Sequence, residues 1–394
     1  MLYHLPYPGG VGADRWIGEG WREGFRVLGH EFSLLTAGED LSQRAEATNA
    51  DLFMTAVNLL DLERERAALR ALRDRGVRVL LWVHWPLESR IDPRRGEILR
   101  REDVADIYFG EREPEQMERF ERETGKPYHV IPNAANPALH FPVDPVSRYR
   151  YDIVYLGANL RKKRWFVRNV LRPLTKRYRV GVFGPGWDVR DHVLRLGSKL
   201  CKMAGAFGAA GWIDRARIAV PSDAERALYS SAAISLNFHE REDDGSQPHY
   251  IMNQRTFKIP ACGGFQLCDA VPAIRKYFAE DELVTAGLDR DEWMAKIAYF
   301  LEHDIERRTI QRKGAERAQR DHMSTNRVWR VLELLGRRCA PPPPGSGRSA
   351  PRRSRGCRSS SPSATKSGIS RRVSRSCSTR TTRPRSSSSS SSMG

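Results

Sequence analysis

The chain has 394 residues, 40% of them hydrophobic, and a formal charge of +18. That length suits two domains, and no stretch approaches the ~18 apolar residues that read as a membrane-spanning helix. The charge invites a nucleic-acid reading, but residues 337–394 carry 13 Arg, one Lys and no acid, which leaves an ordinary +4 for residues 1–336.

In chain order, residues 2–5 read as a strand running into the turn Pro8-Gly9-Gly10-Val11-Gly12. Residues 1–12 lack the basic and apolar regions of a secretory leader, so a cytoplasmic location is the expectation. Residues 16–29 read as a helix stopped by Gly29. Residues 59–75 repeat Leu62, Leu69 and Leu72 at helical spacing among Arg and Glu, and Gly76 ends them. The apolar run 77–83 is a parallel strand that ends at His84-Trp85-Pro86. Residues 106–109 and 129–131 are weaker strands around the charged helix 114–124. The Pro- and Asn-rich stretch 133–150 is aperiodic and reads as a linker.

The alternation then repeats. Strands are expected at 151–156, 179–183, 233–238 and 265–268, with a short one near Leu283. Helices are expected at 162–177, 223–231, 253–262, 271–278 and across 289–320. Ser222 and Glu225 read as a capping box for the second of these helices. Asp289 reads as the cap of a later helix, with Asp291 in its first turn. Strands alternating with helices in two blocks predict the α/β class, with two Rossmann-like domains facing a central cleft. The expected boundaries are 1–140 for the first domain, 141–150 for the linker and 151–336 for the second domain. Residues 337–394, rich in Arg, Ser and Pro, cannot bury a core and read as a disordered basic tail. None of the six cysteines has C-x-x-C spacing, so neither a zinc cage nor a disulfide framework is expected.

Ligands of open α/β sheets sit at the carboxyl ends of the strands. Gly157 ends one strand and would admit a diphosphate, and Arg161, Lys162, Lys163 and Arg164 open the helix after it. Cations there oppose the helix dipole unless an anion is bound; a solvated basic face is the plain alternative. The turn Gly184-Pro185-Gly186-Trp187 would shape a base pocket or merely reverse the chain. Asn237 and His239, two residues apart at a strand end, precede a polar loop. Asn253 and Arg255 open a helix that closes at Gly263-Gly264, and the next strand ends at Asp269. His84 would reach the cleft from the first domain, with a core or loop histidine as the plain alternative.

The segments IVYLGANLRKKR, VGVFGPGW, LNFHE, NQRTFKIPACGGFQLCD and HMSTNR resemble the group 1 glycosyltransferases of the spore-maturation-protein type. The resemblance covers about residues 150–330 and is fainter over 1–140. It implies the GT-B fold, with a nucleotide-diphosphate sugar as donor substrate, no further cofactor and no metal. Transfer would go to an unidentified acceptor. It implies that Gly157, Lys163 and Arg164 meet the donor diphosphate, and that Asn253, Arg255, Gly263 and Gly264 surround the same nucleotide sugar. The family commonly reads R-x-F-E-I at this helix, with the Glu on the donor ribose; Lys258 stands at that position here. That departure keeps open a catalytically inactive nucleotide-sugar-binding homologue. Other nucleotide-sugar chemistry on the same fold, such as epimerisation, and nucleic-acid binding through the basic tail also stay open.

Overall fold

The computed structural model describes residues 1–4, 13–36, 39–83, 93–217, 220–240 and 252–336. Residues 337–394, and with them the expected tail, lie outside that set.

Eleven strands among the described residues form two wholly parallel sheets. The first contains β1 (Leu2–His4), β2 (Ser33–Leu35), β3 (Leu52–Ala56), β4 (Arg78–Trp82), β5 (Ile107–Gly110) and β6 (Tyr128–Val130), in the order β2-β1-β3-β4-β5-β6. The second contains β7 (Ile153–Leu156), β8 (Val180–Phe183), β9 (Ile234–Asn237), β10 (Gln266–Asp269) and β11 (Val284–Ala286), in the order β11-β10-β9-β7-β8. Each sheet is buried on both faces, which is why its strands read as apolar runs and not as alternating ones. In β4, Val79 and Leu81 join the cluster on one face, with Phe53 and Leu69. Leu80 and Trp82 join the other, with Tyr3 and Trp21. In β7, Ile153 and Tyr155 face one cluster and Val154 the other. No helix among the described residues is long and apolar enough to cross a membrane.

The second domain was expected to run to residue 336, but the chain crosses back before that. The helix Ser324–Leu334 buries Val328, Val331 and Leu332 in the cluster of the first sheet, beside Tyr3, Trp21 and Phe25. Its backbone comes so close to the helix Ala13–Val27 that a Cβ on Gly24 would lie 2.8 Å from Val328 Cγ2 and 2.9 Å from the Ser324 carbonyl oxygen. Gly24→Ala is therefore expected to lower stability by about 1–3 kcal/mol in urea unfolding. Residues 132–136, inside or next to the expected linker, are fastened to the same crossing. Arg327 Nε donates to the Pro132 carbonyl at 2.9 Å, and Ser324 N donates to the Ala135 carbonyl at 2.8 Å. Next to the same crossing, the Tyr277 hydroxyl donates to Glu113 at 2.7 Å and Lys276 pairs with the same carboxylate at 2.9 Å.

Two local expectations are corrected. The helix Ser222–Ser231 starts at Ser222, so the capping position falls on Pro221. Glu225 points into the interior and takes no part in a capping box. The basic helix after β7 begins as a 3-10 turn at Arg161–Lys163 and widens to a π turn at Val167–Leu171. Pro173, which follows, has no N–H to donate and needs room against the preceding turn, which the wider turn provides.

Candidate functional site

In the second sheet the chain leaves β7 toward β8 on one side and β9 on the other, so the strand order reverses between β7 and β9. The crevice outside the carboxyl ends of such a pair is the general ligand position of open α/β sheets. Arg255, in the first turn of the helix Gln254–Ala261, reaches into it. Its Nη1 donates to the Leu156 carbonyl at the end of β7 at 2.7 Å, and its Nη2 donates to the Phe238 carbonyl beyond β9 at 3.2 Å. The guanidinium also lies 5.5 Å from the Tyr155 ring centroid.

Lys163 arrives from the other side of the crevice and is buried. Burial, and then the Arg255 charge beside it, hold its ammonium below the ordinary lysine pKa. Among the described residues neither Lys163 nor Arg255 forms an ion pair with an acidic side chain; Glu240 is felt by both but pairs with neither. Two like charges brought together out of water are unfavourable unless an anion joins them. Arg164, the next residue, is exposed.

Gly157 makes the approach of Arg255 possible. A Cβ there would run into Arg255 Nη1, and would lie 2.7 Å from the Tyr155 hydroxyl. That hydroxyl is buried and has no hydrogen-bond partner. Gly184, with φ 124°, packs on the Gly157 peptide, where a Cβ would lie 2.5 Å from the Gly157 carbonyl oxygen. Trp187 Nε1 donates to that carbonyl at 2.7 Å, and its ring meets Tyr155 edge-on. The turn 184–187 is thus bolted to the Gly157 loop, and the indole N–H of Trp187 is spent inside the protein. Gly157→Ala is expected to displace Arg255, costing about 1–3 kcal/mol of stability and with it ligand affinity. Chemical denaturation and titration calorimetry on the same variant would read both losses.

Asn237, His239 and Asp269 were expected to meet the ligand, and the structure turns them inward. Asn237 Nδ2 donates to Asn253 Oδ1 at 3.1 Å, and Asn253 Nδ2 returns a bond to Asn237 Oδ1 at 2.9 Å. Asn253 also caps the helix, accepting from Thr256 N at 3.2 Å. His239 Nδ1 lies 2.8 Å from Asp269 Oδ1 and its Nε2 lies 3.1 Å from Thr256 Oγ1. A proton on Nδ1 lets the imidazole donate to Asp269 and accept from the Thr256 hydroxyl. With both ring nitrogens engaged and no exposure to the crevice, His239 is an interior histidine. The network fixes the start of the helix that carries Arg255.

Lys258, one turn further on, is buried with its ammonium 3.3 Å from both Glu225 oxygens. His140 Nε2 lies 3.9 Å from the same carboxylate. Gly263 and Gly264 do not belong to the crevice. They stop the helix at its far end, about 12 Å along the axis from its start. There Gly263, at φ 71°, faces Pro142, and Gly264 N donates to the Ile259 carbonyl. His84 lies outside the described residues. The strand before it ends with Trp82, whose indole donates to Glu111 at 2.9 Å.

Sequence reading missed Tyr155 and Thr256 here and gave Glu225 the wrong role, and it missed the buried carboxylates Glu111 and Glu113 after β5. Tyr155 sat inside an expected strand, and its period-2 position relative to Gly157 was the available signal. The run GEREPE had the composition of an exposed turn, and nothing in it marked burial.

Residues 161–333 match a family described as glycosyl transferase-like. No curated protein matches the chain by sequence. Among solved structures, the chain is similar to sucrose-phosphate synthase from Thermosynechococcus elongatus, at 14% identity over 85% of this chain and 99% of that one, with a TM-score of 0.55. It is similar to Anabaena Alr3699/HepE in complex with UDP at 11% identity, over 85% and 99% of the two chains, again with a TM-score of 0.55. These likenesses show the fold: two Rossmann-like lobes of the GT-B type.

Proposed function

We propose that the chain is a nucleotide-sugar-dependent glycosyltransferase whose donor diphosphate lies at the β7/β9 crevice. The observation that carries this reading is the meeting of Lys163 and Arg255 at the reversal of strand order, with neither in an ion pair among the described residues. A diphosphate would supply the missing negative charge. As the glycosidic bond to the donor phosphate breaks, charge develops on that phosphate, and cations already fixed in place stabilise it without reorganising. Gly157, without a side chain, leaves room for the Arg255 guanidinium that would meet the phosphate, and the unpartnered Tyr155 hydroxyl can donate beside it. On this reading Lys163 and Arg255 would balance the two charges of the bound diphosphate, with no metal invoked. The acceptor would enter from the first lobe, whose Trp82 and Phe109 line a small cavity together with Gln254 of the second. The match to a glycosyl transferase-like family and the likeness to a UDP-bound neighbour support the same reading.

The test is a melting-temperature screen against nucleoside diphosphates and their sugars, followed by a donor-hydrolysis and transfer assay. A ligand at 100 times its dissociation constant should stabilise the chain by about 2.7 kcal/mol. If no nucleoside diphosphate shifts the transition, the reading fails. One observation favours a second reading, a homologue that binds the donor without transferring it: Lys258 stands where the resembled family has a glutamate. Tight binding with neither hydrolysis nor transfer would select it.

A further inference from the structure

Between β8 and β9 the chain forms a helical hairpin, Val189–Met203 and Phe207–Ala216, whose amphipathicity is inverted. Its seam is polar. Asp191 is buried and accepts from Arg217 Nε at 2.9 Å, while the buried Asp214 pairs with Lys202 at 2.7 Å and with Arg217 at 3.4 Å. Ser198 is buried in the same helix. The opposite face carries Val189, Val193, Leu196, Leu200 and Met203. Their spacing of four, three, four and three puts them in one stripe, and they are 55–78% exposed. Phe207 and Trp212 on the second helix are exposed as well. A helix that buries its polar side and leaves a contiguous apolar stripe in water has a second surface to meet.

We propose that this stripe docks the protein on the surface of an anionic phospholipid bilayer. At 100° per residue Arg190 and Lys199 lie on the two shoulders of the stripe, and both are exposed. Residues 188–217 carry six Arg and Lys against three Asp. Two of those acids are buried in the seam, and the third, Asp188, caps the first helix. Lys202 and Arg217 are spent on the two seam acids, which leaves Arg190 and Lys199 on the shoulders and the exposed Arg195 beyond them. The result is a cationic rim around an apolar centre with aromatic ends, the pattern of an interfacial helix lying in the headgroup plane. A second copy is a poorer fit, because two such faces would bring like-charged shoulders together. Asp191 also accepts from Gly186 N at 2.7 Å, so docking would hold the turn beside Gly157 close to the bilayer. The proposal does not depend on the transfer reading.

The test is cosedimentation of the full chain with phosphatidylcholine vesicles, with and without about one-third phosphatidylglycerol, comparing wild type with V193E/L196E/L200E. All three positions are exposed, and matching melting temperatures confirm that the variant folds. Wild type is expected to bind the anionic vesicles and to stay partly bound at about 0.5 M NaCl, where long-range charge attraction is screened. The triple variant is expected to bind at least about tenfold more weakly. The basic residues 337–394 are common to both chains, so equal binding by the two overturns the proposal, as does complete release of wild type by salt. It also fails if neither binds vesicles while ultracentrifugation finds wild type dimeric and the variant monomeric; the stripe would then join two copies.

Discussion

Arg255→Ala is expected to abolish the nucleoside-diphosphate-induced rise in melting temperature and to lower donor turnover by about 10²–10³-fold, the usual loss when one preorganised donor to a developing anion is removed. The side chain has five N–H donors, and two of its nitrogens are committed to the Leu156 and Phe238 carbonyls. Those two bonds aim the guanidinium and leave donors for a ligand. Losing them costs stability too, about 1–3 kcal/mol, so a fall in activity alone would be ambiguous. Lys163→Met resolves this, because it removes the neighbouring charge without touching the strand-end carbonyls. It should relieve a cation that burial holds below its ordinary pKa, so the free protein should lose little stability while ligand affinity falls. If both side chains hold one diphosphate, the double variant should lose less than the two single losses added together. Arg255→Lys should rescue poorly, since an ammonium cannot span two carbonyls 82 residues apart in sequence and still present a fork to phosphate. An Arg255→Ala protein that keeps the wild-type ligand shift would remove the diphosphate from this crevice.

The sequence carried the second sheet well, because β7, β9 and β10 are continuous apolar runs closed by Gly or by polar residues at their carboxyl ends. It also placed Arg255 and Lys163 at one edge, since a strand-to-helix turn leaves little choice of position. What it could not carry was direction within a turn of helix. Asn237, His239 and Asp269 look like ligand contacts in a string of letters, and only the reciprocal amide pair and the Thr256 hydroxyl show them satisfied inside. Gly263 and Gly264 were drawn into the site by nearness in sequence, although eight helical residues separate them from its edge. The helix Val189–Met203 was passed over. The crossing of Ser324–Leu334 to the first lobe was equally hidden, because its apolar face reads the same whichever sheet it covers.

Lys258→Met is expected to lower stability at neutral pH by about 3–5 kcal/mol, because it leaves Glu225 charged, buried and without its main partner. Burial by itself would push that carboxyl up; Lys258 and then His140 hold it at about 2 against an ordinary 4.5. A folded-state pKa below the unfolded one means that the contribution, on the order of 3 kcal/mol, is present above about pH 4.5 and is lost as the pH falls toward 2. In the variant the direction reverses. Burial then raises the Glu225 pKa, so the protein can protonate it, and the gap to wild type should narrow as the pH is lowered from 7 to about 4. The double variant K258M/E225L, which removes both charges, should recover to within about 2 kcal/mol of wild type. The reversed pair K258E/E225K should also fold, whereas K258E alone should be the least stable of the set. The reversed pair has a functional consequence as well, since it restores an acid at the position where the resembled family has one. Because the Lys258 ammonium is turned toward Glu225, we expect donor affinity to change by no more than about threefold between wild type and the reversed pair, well under 1.4 kcal/mol. Unchanged affinity and turnover would make Lys258 part of the scaffold and remove the main support for an inactive homologue. A large gain in turnover on reversal would instead show that the lysine, and not the crevice beside it, limits the wild-type protein.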